Sequence, residues 1–504
     1  MILFQRYYQS FTAFLGRKNS LQNFSEGFIR KEEKNCGPRE KIYIKPRILV
    51  CAPSNAAVNQ ICEKVIKVGF KQSDNMIYWP GIIRLAAVDA LIPSDMKPIL
   101  IQTKICSLLS LSETEWSRLY SQCYYNILAL NQQIQNNNLR ETVIEKIDQY
   151  IQSVEARDRD VADLGRLELV RTKYTSEFYL EKNASISKLY VELETSFVDE
   201  AEIVFTTLAL CGRHTFRSIS RTFDLLLIDE AAQANELTTL IPLTLGIKHC
   251  LLIGDNFQLP STVISKLAKI AKFDRSLFQR LLENNYNFIS LSIQYRMHPE
   301  ICSFPSRFFY GGSLVDDPAS SIKVQLKTNW PTAPYLLFDT TDTSELRGRS
   351  GSVVNVSEVH MIISILKSFM FMNPGTSLEI VAILTPYKEQ KELIRNTLSE
   401  TFGKSSSTVH ISTIDGYQGK ESDFVLISCV RAIKNIGFLS DAQRLNVAIT
   451  RAKNRCWVLG NLSSLRKDRI WRYVVEDAVS RFCIIQGRES QAFLRSFFKC
   501  IKVL

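Results

Sequence analysis

Eight short apolar runs, each ending in a polar turn, constrain this chain more than any other feature. RILVCAPSN (47–55), AEIVFTTL (201–208), FDLLLIDE (223–230) and HCLLIGD (249–255) form a first set. LEIVAILTPY (378–387), TVHISTIDG (408–416), DFVLISCVRA (423–432) and RCWVLGN (455–461) form a second. Short apolar runs without alternation suit strands buried on both faces. Helix signals separate them, and strands alternating with helices build parallel α/β sheets. Two sets predict two sheets in tandem. With 504 residues, 45% of them hydrophobic and 22% charged, the chain can fill two cores.

The stretch between the strands near 85 and 203 reads differently. Trp116, Leu119, Cys123, Ile127, Leu130 and Ile134 recur at helical spacing, Asn136–Asn138 interrupt it, and Ile144, Ile147, Ile151 and Val154 resume it. This predicts a helical arm over 105–195, inserted into a first domain made of 1–104 and 196–288. Its bland reading is a solvated hairpin; its sharper one is a lever that touches nucleic acid or a partner. A second domain covers 289–504. Within it, 316–350 is rich in Asp, Ser, Thr and Pro and reads as irregular, with SELRGRSGS (344–352) an exposed loop.

A net charge of +11 favours a polyanionic partner such as nucleic acid. The 12 cysteines include no CxxC pair, and Cys211 with His214 has no second pair around it, which argues against zinc. They read as reduced residues, several inside apolar strands (Cys51, Cys250, Cys429). No run approaches the roughly 20 apolar residues of a membrane span. The opening MILFQRYYQSFTAFLG lacks the pattern of a secretory signal and reads as an amphipathic helix.

Candidate chemistry gathers where the apolar runs end. In LLLIDEAAQ, Asp229 and Glu230 stand at a strand end, the Walker B arrangement of nucleotide hydrolases. There Asp229 holds Mg²⁺ and Glu230 orients and deprotonates water; alone, the pair also reads as two solvated acids. In LLIGDNFQLPSTV, Gly254 permits a tight strand exit, and Asp255 and Gln258 can point at a phosphate. Alone this is an Asp turn. In QYRMHP, Tyr295 offers a flat face for a base and Arg296 a fork for phosphate. Arg451, in LNVAITRAK, reads as an arginine finger worth on the order of 10³–10⁵ in rate, and Glu421 as a ribose ligand. A surface salt bridge is the commoner fate of any one arginine. In CAPSNAAVNQ, Ser54 and Asn55 can cap a helix or bind a backbone phosphate.

Taken together, APSNAAV, DEAAQ, GDNFQLP, QYRMHP, TPYKEQ, STIDGYQGKE and LNVAITRAK resemble, in kind and order, the superfamily 1 helicases of the group containing senataxin and the nonsense-mediated-decay helicase. WVLGNLSSL (457–465) and IWRYVVEDAVSRF (470–482) resemble the senataxin branch in particular. The likeness runs from about residue 47 to about 475, the arm excepted. It implies an α/β fold of two tandem RecA-like parallel-sheet motor domains with a helical insertion in the first. It implies ATP with Mg²⁺, 5′-to-3′ movement on single-stranded RNA or DNA, unwinding of RNA–DNA hybrids, a nuclear location and RNA-processing or transcription partners. It also assigns roles by position. Asp229 and Glu230 serve metal and water, Gln258 senses phosphate, and Arg296 and Arg451 contact the γ-phosphate. Tyr295 stacks on adenine, with Glu421, Gly419 and Asp255 at the nucleotide. Ser54, Asn55, Thr206, Thr385, Pro386 and Thr413 line the nucleic-acid track. Two departures, Asn256 and Ser261 where the group has Pro, predict a looser turn only.

A Walker A loop, G-x-x-x-x-G-K-[ST], is absent from the printed residues. Gly403-Lys404-Ser405 has Leu398 where the first Gly belongs, and it falls in the second domain, a decoy. In the resembling group the loop precedes the helix before the APSN strand, so Met1–Phe4 read as that helix, in a fragment that begins just after its phosphate loop. Poor ATP hydrolysis is the expectation. The alternative is a Walker-A-less pseudo-helicase acting as a nucleic-acid-binding module or scaffold.

Overall fold

The structure is a computed structural model that describes residues 46–486, apart from 72–76, 88–89, 137–143, 172–181, 319–332, 349–351 and 433–435. The expected N-terminal helix lies outside these residues. The chain divides into two compact units: Met1–Gly254 with Ser261–Arg280, and Asp255–Pro260 with Leu281–Leu504. The expected boundary at 288/289 thus falls at 280/281. The GDNFQLP turn leaves the first unit after Gly254 and rejoins it at Ser261.

The first unit is built on five strands: β1 (Ile48–Ala52), β2 (Ile82–Arg84), β3 (Ile203–Thr207), β4 (Leu225–Ile228) and β5 (His249–Leu252). Their order is β2-β3-β1-β4-β5, and every pairing is parallel. Alternate residues feed opposite cores. Leu49, Cys51, Val204, Leu226 and Ile228 pack on one face, while Ile48, Val50, Ile203, Phe205 and Leu227 pack on the other. That double burial is why these runs show no polar alternation. The edge strand β5 differs: its His249 and Cys250 are exposed, so Cys250 is not the enclosed strand cysteine its surroundings predict.

Helix α1 (Asn55–Val68) follows β1. Between β2 and β3 stand α2 (Glu113–Asn136), α3 (Ile144–Arg171) and α4 (Lys182–Glu200). Ile127, Ile134 and Val154 are the buried side of the α2–α3 pair, and Trp116 Nε1 donates to Leu167 O at 2.7 Å. The ends of the expected arm belong to the sheet's own core. Ile105, in the helix Ile101–Leu109, packs in one cluster with Leu189, Leu193 and Val198 of α4 and with β1 and β4.

The second unit has α5 (Pro299–Phe309), β6 (Tyr335–Asp339), α6 (Val356–Met372), β7 (Val381–Thr385), α7 (Lys388–Phe402), β8 (His410–Thr413), β9 (Ser422–Ser428), α8 (Ala442–Ile449), β10 (Ala452–Gly460), α9 (Arg469–Ser480) and β11 (Ile484–Ile485). The strand order is β8-β7-β9-β10-β6-β11, again parallel throughout. Strand β6 corrects the reading of 316–350 as irregular. Its YLLFD run is only four apolar residues long and sits among Pro and Thr. It is nonetheless an inner strand, with Tyr335 and Leu337 in one core and Leu336 and Phe338 in the other. Leu346–Arg347 adds a short antiparallel pairing with Val353–Val354. Among the described residues no helix is long and apolar enough to cross a membrane.

Tyr335 is 0% exposed, its hydroxyl has no hydrogen-bond partner, and the Arg481 guanidinium lies 4.7 Å from its ring centre. An enclosed, unpaired hydroxyl costs on the order of 1 kcal/mol or more. Tyr335→Phe should therefore keep or raise the melting temperature; a fall of several degrees would show that the hydroxyl is paired in solution.

Candidate nucleotide and nucleic-acid site

In the first unit the acids follow β4 directly. Asp229 N donates to Cys51 O at 2.9 Å, so the ladder between β1 and β4 runs through Asp229 itself. Glu230 then takes φ 51° and ψ 38°, a left-handed conformation uncommon for a residue with a side chain. The reversal sends the chain back, and Ala231 N donates to Ile253 O at 2.8 Å. Gln233 Nε2 donates to Glu230 Oε2. Burial pushes the half-buried Asp229 carboxyl above its ordinary range, against the Glu230 backbone N–H that lowers it. A partly desolvated carboxylate oxygen at a strand end fits the hard, oxygen-seeking Mg²⁺.

Gly254 explains why the next strand can pass so near. A Cβ there would stand 2.9 Å from Ala232 N and 3.3 Å from Ala231 N. Its reason is close approach to the turn after Glu230, rather than an unusual φ.

Ser54 caps α1: its Oγ accepts from Ala57 N at 3.2 Å. Asn55 is the first residue of that helix, and its Oδ1 accepts from Arg84 Nη2 at 2.7 Å. Arg84 is wholly buried; its Nε donates to Asn59 Oδ1 at 3.1 Å, and burial pulls its guanidinium down to about 10. Sequence reading missed Arg84 and Asn59. The available signal was spacing, since Asn55 and Asn59 share a helix face at i, i+4. Thr206 falls differently from its expected role. It is 0% exposed inside β3, its hydroxyl lacks a partner, and the partly exposed residue at that strand end is Thr207.

In the second unit, Gln294 organises QYRMHP. Its Oε1 accepts from Arg296 N at 3.0 Å and Met297 N at 2.7 Å. The bend leaves Tyr295 66% exposed. Arg296 Nε donates to Glu421 Oε2 at 2.7 Å, and Lys453 Nζ reaches Glu421 Oε1 at 2.9 Å. Burial pushes the Glu421 carboxyl up, but the hydrogen bonds and charges of Lys453 and Arg296 outweigh it and hold it at about 2. Gly419 has φ 78°, which lets the QGKE turn form.

Asp255, Gln258 and Arg451 come together. Gln258 Nε2 donates to Asp255 Oδ2 at 2.9 Å, and Arg451 Nη2 donates to Gln258 Oε1 at 3.3 Å. Arg451 is 2% exposed and also donates to Val447 O at 3.0 Å, so this conformation stores the expected finger rather than extending it. Tyr310 and Asn446 were not foreseen. Tyr310 Oη donates to Asp255 Oδ2 at 2.6 Å, and Asn446 Nδ2 donates to Tyr310 Oη at 2.8 Å and Phe257 O at 2.9 Å.

Pro386 is half-buried, and Thr413 Oγ1 accepts from Gly416 N at 3.2 Å. Thr385, expected on the track, is 0% exposed with an unpartnered hydroxyl, because it is the last inward residue of β7. Gly403 closes helix α7 with φ 54°. A phosphate loop needs a strand before it and a helix N-terminus after it, so Gly403-Lys404-Ser405 does not make one. A wholly buried carboxyl, Glu358, accepts from Ser428 Oγ at 2.6 Å and Val430 N at 2.9 Å. Burial holds it up at about 7 against these hydrogen bonds and that of Thr340.

Two outcomes follow. Gly254→Ala should destabilise the fold by the cost of overpacking, about 1–3 kcal/mol, and so lower the melting temperature; an unchanged melting curve would show that the Ala231–Ala232 turn yields freely. Glu358 makes stability depend on pH. Between its ordinary 4.5 and about 7 the unfolded chain has released a proton that the folded chain keeps. The unfolded state then binds fewer protons, and stability falls as pH rises across that window. Melting curves of wild type and Glu358→Gln should therefore shift in the variant's favour from pH 4.5 to 7 and run parallel above it. A constant offset would mean that Glu358 ionises normally.

Residues 17–266 and residues 273–463 each match an AAA domain family. The chain is 32% identical to the helicase SEN1 of Saccharomyces cerevisiae over 502 residues, 92% of this chain and 22% of that protein. It is 33% identical to the probable helicase MAGATAMA 3 of Arabidopsis thaliana, over 86% of this chain and 46% of that one. With the probable helicase senataxin of Homo sapiens it shares 32% identity, over 87% of this chain and 17% of the relative. The chain thus spans less than half the length of each of these relatives. Tandem AAA domains, two parallel sheets and motifs at the strand ends agree: the chain belongs to the senataxin-like group of superfamily 1 helicases.

Proposed function

We propose that the chain is the motor segment of an ATP-dependent helicase that moves 5′ to 3′ on single-stranded RNA or DNA and opens RNA–DNA hybrids. The observation that carries this is the end of β4, where Asp229 continues the ladder and Glu230 turns left-handed with Gln233 on its carboxylate. Asp229 would hold Mg²⁺, which supplies charge neutralisation at the phosphates when bound. Glu230 takes the proton of the attacking water, and Gln233 keeps its carboxylate in place. Gln258 and Arg451 read the phosphate end, Arg296 shares the γ-phosphate, Tyr295 stacks on the adenine, and Glu421 meets the ribose. Gly419 and Asp255 shape the turns around them.

Ser54, Asn55, Pro386 and Thr413 touch the nucleic-acid backbone, with Thr206 and Thr385 acting from inside the strands beneath it. The arm at 105–195 is an inserted subdomain. The work belongs to RNA processing or transcription termination in the nucleus, by a monomer with processing factors as partners. A second reading has one observation in its favour: the printed residues hold no Walker A sequence, and their GKS lies at a helix C-terminus. On that reading the segment binds nucleic acid as a module without turnover.

A fluorescein-labelled single-stranded oligouridylate titrated at several salt concentrations tests the shared part. A backbone track over some four phosphates should give a log–log salt slope of about −3; no binding at low salt would sink both readings. ATP turnover by these 504 residues with oligouridylate should stay under about 1 s⁻¹, the floor of the usual enzyme range. Brisk turnover that Glu230→Gln removes would overturn the expected weakness and the module reading together.

A further inference from the structure

One residue at the C-terminal end of the second sheet is strained, and two buried side chains hold it so. Val430 follows β9 with φ 70°. Arg431 N donates to Cys429 O at 2.7 Å, closing a three-residue γ-turn around Val430. The γ-turn with positive φ is the rare and strained form, and β-branched residues tolerate it worst. Both polar backbone groups of Val430 are gripped. Its N–H donates to Glu358 Oε2 at 2.9 Å, and its carbonyl accepts from Asn355 Nδ2 at 3.2 Å.

The grip is itself braced. Gln390 Oε1 accepts from Asn355 N at 2.9 Å, and Gln390 Nε2 donates to Ser428 Oγ at 3.0 Å and Asn355 O at 3.2 Å. Asn355, Glu358 and Gln390 are each 0% exposed. The fold alone does not ask for this. Asn355 already caps α6 by accepting from Glu358 N, which any short polar cap would do. Glycine at 430 would make the turn unaided. Burying a carboxyl whose hydrogen-bond donors are Ser428, Val430 and Thr340, all neutral, is costly. Strain that its surroundings over-determine marks functional sites.

What lies beside the turn gives its use. Strand β7 is the neighbour of β9, with Leu384 opposite Ile427, so Thr385–Tyr387 leave the sheet next to Cys429–Arg431. Tyr387 packs with Val430 and Val353 in one small cluster. Arg431 pairs with Glu345 at 3.2 Å, and its positive charge lies near the Tyr387 hydroxyl. We propose that Glu358 and Asn355 are positioning residues for single-strand binding: by holding Val430 in its γ-turn they set Arg431 beside Pro386, the partly exposed residues of the Cys429–Arg431 and Thr385–Tyr387 turns, as one preformed edge for a sugar–phosphate backbone. The proposal rests on the nucleic-acid reading above.

The test measures labelled oligouridylate affinity and melting temperature on the full chain for wild type, Glu358→Ala, Asn355→Ser and Glu358→Gln. Serine keeps the helix cap but cannot reach the Val430 carbonyl; glutamine keeps an acceptor for its N–H. Release of the turn should weaken binding about tenfold, the loss of roughly one backbone contact, in Glu358→Ala and Asn355→Ser. Glu358→Gln should stay within about threefold of wild type. Unchanged affinity in both releasing variants, whatever their melting temperatures, overturns the proposal, and Asn355→Ser alone decides if Glu358→Ala does not fold. Absence of binding by wild type would instead overturn the nucleic-acid reading.

Discussion

The hydrogen bond from Asp229 N to Cys51 O is the last rung of a parallel ladder, and much of the first unit's chemistry depends on it. Parallel strands end in step on one edge of a sheet, so whatever follows each strand is delivered to the same edge. Register does the positioning. Cys51 lies opposite Ile228 and Thr206, which places Ser54, Asp229 and Thr207 within a few residues of their strand ends. The second sheet repeats the device, with Ile427 opposite both Leu384 and Val458. Apolar runs buried on both faces supply the energy, and polar turns at their ends carry the candidate site residues.

Each such turn is held by a buried or half-buried polar side chain of its own unit. Arg84 fixes Asn55 and Asn59 at the start of α1. Gln294 folds the QYRMHP bend around its amide. Tyr310 and Asn446 tie Asp255 and Phe257. Glu358 and Asn355 hold Val430. Buried polar groups are expensive unless satisfied, and satisfied ones fix a single geometry. Rigid supports of this kind suit a site whose reacting groups must meet phosphates at hydrogen-bond distance.

This division explains what could be read from sequence. Strands β1, β3, β4, β7, β9 and β10 announce themselves because double burial demands unbroken apolar runs. The motifs at their ends were legible because small and polar residues there have few other uses. Strand β6 was hidden, because YLLFD is brief and its partners β10 and β11 lie far along the chain. Burial of Thr206 and Thr385 was hidden too, since a run of residues does not say which one is the last to face inward. The supports were least visible of all: Glu358 reads as an ordinary helix-start acid until Ser428 and Val430 are brought to it from seventy residues away.

Arg451 shows how such supports bear on mechanism. Its guanidinium is enclosed and donates to Val447 O, Gln258 Oε1 and Thr450 Oγ1. Hydrogen bonds to uncharged oxygens hold a guanidinium without neutralising it, which on the proposed reading suits a later contact with phosphate. Arg296 is in the opposite state, committed to Glu421, whose carboxyl stays ionised far below neutral pH. On the proposed reading a phosphate would compete with that carboxylate for Arg296, and with the Val447, Gln258 and Thr450 oxygens for Arg451. On that reading the two arginines differ: Arg451 would exchange hydrogen bonds for a phosphate, whereas Arg296 would give up an ion pair with Glu421, which Lys453 also holds.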